Sequence, residues 1–159
     1  MAVSRHPLSL LGPTAGLPAD VSLIRSLETS FDLIVKRTPD FASRFYQRLF
    51  ITFPNLRAMF PADMRAQEKK LTDTLVFVIH SLRDPATLQQ SFRVLGERHA
   101  SLGVKREHYP PVIACLVRTM AESAGEDWTA ELQSDWVQAL RLVAEAMTAS
   151  SVSGVTTPR

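Results

Sequence analysis

Three polar side chains occupy positions that the helical period assigns to the interior: Tyr46, Gln67 and His99. His99 completes a stripe of Leu88, Phe92, Leu95 and Leu102, with a helix stop at Gly103 close behind it. Tyr46 lies on a line with Phe50 and Phe53, beside Phe41, Phe45 and Leu49, and Gln67 interrupts a stripe of Met64, Leu71, Leu75, Val78 and Leu82. A buried polar side chain without partners costs about 1–3 kcal/mol, so each of the three is hydrogen-bonded, ligated, or less buried than its spacing says. For a lone histidine the ordinary explanation is a core imidazole that a backbone carbonyl satisfies. Base catalysis and metal ligation are the readings that would make it functional.

A hydrolytic triad finds no support. No serine or cysteine stands in a strained turn of the G-x-S-x-G kind, and Glu97 and His99, two apart on a helix, face different directions. The acidic residues lie on outward faces, which removes paired-carboxylate chemistry. A zinc site needs three or four ligands, yet His80, His99 and His108 share no ligand spacing, and His6 lies in the N-terminal stretch. The single cysteine, Cys115 in the apolar run VIACLV, excludes an internal disulfide and a multi-cysteine cage. One inward imidazole is sufficient for one kind of metal chemistry, in which a macrocycle supplies four nitrogens and the protein the fifth ligand. Such a haem needs an apolar slot between helices, which FYQRLFITFPNLRAMF at 45–60 could help line. Tyr46 and Gln67 would then face the sixth position as hydrogen-bond donors. Periodicity alone leaves the satisfied core histidine standing beside this reading.

The elements that must position these residues are all helical, because strand signals are nearly absent and helical periodicity recurs in every segment after residue 19. The class is all-α. Asp20 caps a first helix with the stripe Leu23, Ile24, Leu27, Phe31 and Ile34, ending near Arg37. A second opens near Pro39–Asp40 and is broken by Pro54, after which PNLRAMF turns into PAD and a longer helix over about 63–83. Asp84 as cap and Pro85 in the first turn start the helix that carries His99. VKREHYPP then leads into a helix from about Tyr109 to Gly125, and the last spans about 127–149 with Trp128, Leu132, Trp136, Leu140, Val143 and Met147 inward.

The 159 residues suit one domain at 19–149, between a leader at 1–18 and a tail at 150–159 that are expected to be disordered. With 21% charged residues, a net charge of +2 and no basic block, nucleic acid is not an expected partner. Nor is a membrane, since no stretch approaches the roughly 18–20 apolar residues a span requires. Pro7, Gly12, Pro13 and Pro18 interrupt the leader too often for a signal peptide, so the expected location is cytoplasmic.

In this order and spacing the landmarks resemble the globins, most closely bacterial single-domain haemoglobins related to the haem domain of flavohaemoglobins, over about residues 20–149. FYQRLF is similar to the family's second helix with its distal tyrosine, Tyr46. Pro54 resembles the proline that turns the chain into the short third helix, and Phe60 the phenylalanine stacked on the haem face. Gln67 is similar to the distal glutamine of this bacterial group, a register slip placing Lys70 there instead, and Leu71 to the apolar residue overhanging the ligand. His99 matches the proximal iron ligand, followed by Gly103–Val104 and HYP at 108–110, whose Tyr109 resembles the proximal-side tyrosine. Trp136 corresponds to a tryptophan common in the final helix.

The resemblance implies a globin fold, a helical sandwich around one haem b with a short or absent fourth helix. It implies His99 as the metal ligand, Phe60, Leu71, Val104 and Tyr109 as further cofactor contacts, and Tyr46 with Gln67 as a distal pair holding O₂, NO or CO at a pentacoordinate iron. The expected behaviour is reversible binding with high O₂ affinity and slow release, which suits scavenging or NO chemistry better than oxygen transport. NO dioxygenation with a separate reductase, or gas sensing through a partner, are the other functions implied; the chain is expected to be a monomer or homodimer. In flavohaemoglobin haem domains a late glutamate completes a His–Tyr–Glu network on the proximal side. Counted from Trp136 its place falls on Ser151, with Glu145 almost two turns earlier.

Overall fold

A computed structural model describes the backbone of residues 20–153 and the side chains of 20–149. The leader expected at 1–18 and residues 154–159 of the tail expected at 150–159 lie outside the described residues, while 150–153 are helical. Six helices follow one another: α1 (Val21–Arg37), α2 (Phe41–Thr52), α3 (Arg65–Ser81), α4 (Pro85–Ser101), α5 (Tyr109–Ala124) and α6 (Ala130–Ser153). Short 3₁₀ segments at Pro54–Met59, Arg106–His108 and Gly125–Asp127 connect them, and no strand occurs among the described residues. Pro61–Met64 joins the first of these segments to α3 without a helix of its own, so a separate fourth globin-type helix is absent.

Local chemistry sets the boundaries. Asp20 accepts a hydrogen bond from the Ser22 amide at 3.0 Å, and Asp84 accepts from the amides of Ala86 and Thr87 at 3.1 and 3.4 Å, satisfying donors that a helix start leaves orphaned. The Thr87 hydroxyl, 2.6 Å away, and these amides hold the Asp84 carboxyl below its ordinary range. At the end of α4, Gly103 adopts φ +89°. The Val104 amide then donates back to the His99 carbonyl at 3.1 Å and the Gly103 amide to that of Ala100 at 3.0 Å, the paired bonds of a glycine-terminated helix. Leu102 stands just past the helical dihedrals as the cap residue and is 61% exposed. Its expected place on the inward stripe is therefore corrected: the helix stops before the period brings it in. The last helix likewise starts later than its periodicity suggests, because Gly125 at φ +59° first turns a 3₁₀ segment, and it continues through Ser153.

The core is continuous across all six helices. Trp136 has no exposed surface; its indole N–H donates to the Ser30 hydroxyl at 3.0 Å, and that hydroxyl donates to the Leu27 carbonyl at 3.1 Å, so the polar atoms are satisfied. Phe31 packs on the same indole with ring centroids 6.0 Å apart. The most extensive helix pair is α4 on α6, and Gly96 is the reason it closes so tightly. A Cβ at Gly96 would collide with the backbone of Met147, so only a glycine allows this approach. Gly96 lies one turn before His99, and the depth to which α4 sinks against α6 sets where the imidazole stands. Gly96→Ala is expected to destabilise the protein by about 2 kcal/mol or more, despite a gain of up to about 1 kcal/mol in helix propensity. Chemical denaturation would measure this; an unchanged or raised midpoint would contradict the close approach.

Candidate functional site

Gln67 and Tyr46 meet. Nε2 of Gln67 donates to the Tyr46 hydroxyl at 3.1 Å, bringing together α3 and α2 across 21 residues of sequence. The register of α3 is thereby visible: Gln67 points inward, whereas Lys70 is exposed and Lys69 pairs with Asp73 on the outer face at 2.7 Å. Tyr46 is only 6% exposed, and the phenol ring is enclosed by Phe45, Phe50 and Phe60 at centroid distances of 5.1, 5.9 and 5.5 Å. Its oxygen accepts from Gln67, and its own proton has no protein acceptor among the described residues. A buried O–H left in that state costs about 1–3 kcal/mol, and a polar ligand in reach would recover it.

Burial holds the Tyr46 phenol above its ordinary value of 10.0; the Gln67 hydrogen bond opposes the rise and the charge of Glu68 adds to it. Tyr46 is thus a neutral donor at physiological pH. Its folded form keeps the proton longer than its unfolded form, so its contribution to stability is whole below pH 10 and is lost as the pH climbs from there toward the folded value. Each pH unit in that window removes about 1.4 kcal/mol per such group. Denaturation series run above pH 10 are expected to show a shallower loss in Tyr46→Phe than in the unsubstituted protein, and equal slopes would contradict a buried phenol.

His99 is half-buried on α4, and its Nδ1 lies 2.8 Å from the Leu95 carbonyl. Only a protonated Nδ1 can make that bond, which leaves the lone pair on Nε2, the tautomer a metal ligand requires. Nδ1 is thus satisfied as in a core histidine, and Nε2 makes no hydrogen bond among the described residues. Phe60, Leu71, Val104 and Tyr109 are, like His99 and Gln67, half-buried, in contrast to the fully buried residues Leu75, Val78 and Phe92 next to them. Phe60, Leu71 and Val104 thus keep apolar surface that an apolar ligand could cover, and a single imidazole is the donor set that fits an iron a macrocycle already holds.

Tyr109 stands differently. It makes no hydrogen bond with His99; it lines a cleft between α5 and α6 with Arg106, Ile113, Val137, Arg141 and Glu145, and burial raises its phenol above the ordinary value. Glu145 shares that cleft although its place in the sequence is almost two turns short of the expected glutamate. No group of three or more metal-ligating side chains occurs among the described residues, and no described helix is long and apolar enough to cross a membrane.

The sequence pattern of the globin family matches residues 43–147, which include Tyr46, Gln67 and His99. The chain belongs to the globin family. A flavohemoprotein of Rhodopirellula baltica is 28% identical to this globin over 112 residues, 69% of the chain and 28% of the relative. A flavohemoprotein of Bacillus cereus is 28% identical over 126 residues, 77% of the chain and 31% of the relative. The globin thus spans less than a third of the length of these relatives. A globin-like protein of Aquifex aeolicus is 25% identical over 78% of this chain and 88% of its own length. Among solved structures, an engineered carbene transferase derived from a proposed nitric oxide dioxygenase of Rhodothermus marinus superposes with a TM-score of 0.71 and 25% identity, over 84% of this chain and 94% of the other. A bacterial globin from Campylobacter jejuni superposes at 0.70, covering 84% and 99%.

The sequence brought Tyr46, Gln67 and His99 forward by their polarity in apolar stripes. It gave Phe50 only as a member of the Tyr46 line, and did not single out Arg57, whose guanidinium stands 5.3 Å from the Phe50 ring, or Gly96 behind His99. Phe50 and Gly96 carry the signal of an aromatic or a glycine inside a helix, and neither is informative without the partner helix.

Proposed function

We propose that this globin would hold a b-type haem between α3 and α4 through His99 Nε2 and would retain O₂ tightly under Tyr46 and Gln67. The observation that carries this reading is the Tyr46 hydroxyl, which is buried, protonated, fed by Gln67 and without a protein acceptor for its own proton. When bound, the haem supplies a ferrous iron that takes a diatomic gas. Tyr46 would offer its O–H proton to the partly negative end of a gas held there. Gln67 orients the donor by occupying the hydroxyl's lone pair. The rings of Phe45, Phe50 and Phe60 keep water from competing for it. On the opposite side, the Leu95 carbonyl fixes the His99 tautomer and ring direction. Phe60, Leu71 and Val104 supply apolar contact to the macrocycle. Purification with haem, followed by stopped-flow measurement of O₂ release, tests the reading: slow release is expected, and release as fast as from a pocket without donors would overturn it.

A second reading, NO dioxygenation with electrons from a separate reductase, draws on the flavohemoprotein relatives and the Rhodothermus marinus neighbour. Glu145 and Tyr109 line one cleft, which puts a carboxylate and a phenol on the same surface as the late glutamate and tyrosine of the resembled group would be, although His99 does not line it. Steady-state NO consumption with a flavin reductase is the discriminating assay. Turnover in a reductase-dependent manner supports this reading, and autoxidation without turnover leaves gas binding alone. A cytoplasmic location accords with either.

A further inference from the structure

We infer that Arg57 is a positioning residue for the distal site, a strap that holds the rings around Tyr46 in place; the inference rests on the distal role proposed for Tyr46. Arg57 lies in the 3₁₀ segment Pro54–Met59 and is half-buried. Its Nη1 donates to the carbonyls of Phe60 and Pro61 at 3.2 and 3.0 Å, and its Nη2 to that of Ala62 at 3.3 Å. These carbonyls belong to consecutive residues between the 3₁₀ segment and α3, where no helix ladder takes them. The Phe60 amide closes the ring by donating to the Arg57 carbonyl at 3.2 Å. The guanidinium carbon also stands 5.3 Å from the centroid of the Phe50 ring, a cation over a π face. No carboxylate pairs with Arg57 among the described residues, so its charge is directed wholly to these groups.

Both things that Arg57 holds touch Tyr46. Phe50 stacks on the phenol at 5.9 Å with 28° between the planes, Phe60 meets it edge-on at 5.5 Å, and the two phenylalanines pack on each other at 5.2 Å. One planar fork thus fixes the backbone that carries Phe60 and the face of Phe50, and through them the direction in which the Tyr46 hydroxyl points. Lysine offers a cation but no planar fork, so it can sit over Phe50 without bridging three carbonyls.

The test uses the haem-loaded full chain as Arg57→Met, Arg57→Lys, Tyr46→Phe and, as a control for losing an arginine elsewhere, Arg25→Met, an exposed position on α1. The infrared CO stretch of the ferrous CO adduct reports the hydrogen bond at the ligand, and amide exchange reports the Phe60 backbone. In Arg57→Met the single CO band is expected to split, O₂ release to quicken roughly three- to tenfold, and the Phe60 amide to exchange about tenfold faster. Arg57→Lys is expected between this variant and the unsubstituted protein, and Arg25→Met is expected to change nothing. If Tyr46→Phe quickens release while folded Arg57→Met keeps one CO band and the original rate, the strap is refuted and the distal role of Tyr46 stands. If Tyr46→Phe itself has no effect, the distal reading fails and the inference fails with it. Should Arg57→Met not fold, Arg57→Lys decides alone, and one unshifted CO band with the original exchange rate would refute the strap.

Discussion

His99→Gly is expected to leave a folded helical protein that no longer retains haem, with the cofactor content falling from near one per chain to below about a tenth. The side chain contributes little to the core: the ring is half-buried, its one bond runs to the Leu95 carbonyl within the same helix, and α4 is anchored by Gly96 against α6 and by the buried Leu88 and Phe92 instead. The loss is therefore specific to ligation. Free imidazole, entering the space the side chain leaves, is expected to restore haem binding and with it the optical spectrum. Undiminished haem content in His99→Gly, measured as Soret absorbance per chain, would assign the axial position to another residue.

The second large effect is on ligand release. Tyr46→Phe removes one hydroxyl and keeps the ring, so its packing against Phe45, Phe50 and Phe60 survives. What is lost is the donor to the ligand, worth about 1–3 kcal/mol in a dry pocket, and every 1.4 kcal/mol is tenfold in affinity. O₂ dissociation is expected to quicken about tenfold or more in stopped flow, with CO, the less polar ligand, changing less. Gln67→Leu is expected to act in the same direction but more weakly, since Gln67 holds the Tyr46 hydroxyl at 3.1 Å and its removal leaves the donor present but unaimed. An unchanged O₂ off-rate in Tyr46→Phe would remove Tyr46 from the distal role.

The helices were legible in the sequence because their ends are chemically marked. Asp20, Asp84 with Pro85, Pro54, Gly103 and Gly125 each act on the backbone within one turn, and that short range is what a sequence displays. Tyr46, Gln67 and His99 were legible for a related reason: a polar residue in an apolar stripe stands out without knowledge of its partner. The joining of Tyr46 to Gln67 needed three dimensions, because α2 and α3 converge only through the connection at Pro54–Met64. Arg57 gave no signal at all, since an arginine in a polar turn looks solvated until the carbonyls of 60–62 are seen to face it. Leu102 misled for a converse reason: the period continues in the sequence for one residue after the helix has ended at Gly103. Tyr109 and Glu145 line one cleft between α5 and α6, a relation that counting from Trp136 along one helix does not capture.

On the proposed reading, His99 would hold a haem iron whose sixth position lies open beneath Tyr46. Optical spectra of the ferric, ferrous and CO-bound forms test it most directly, because they report the coordination number. The expected result is a five-coordinate ferrous form that converts to a six-coordinate one on adding CO, with a shifted Soret band. A chain that shows no Soret band after purification and haem addition, or a ferrous form already six-coordinate through a second protein ligand, would contradict it.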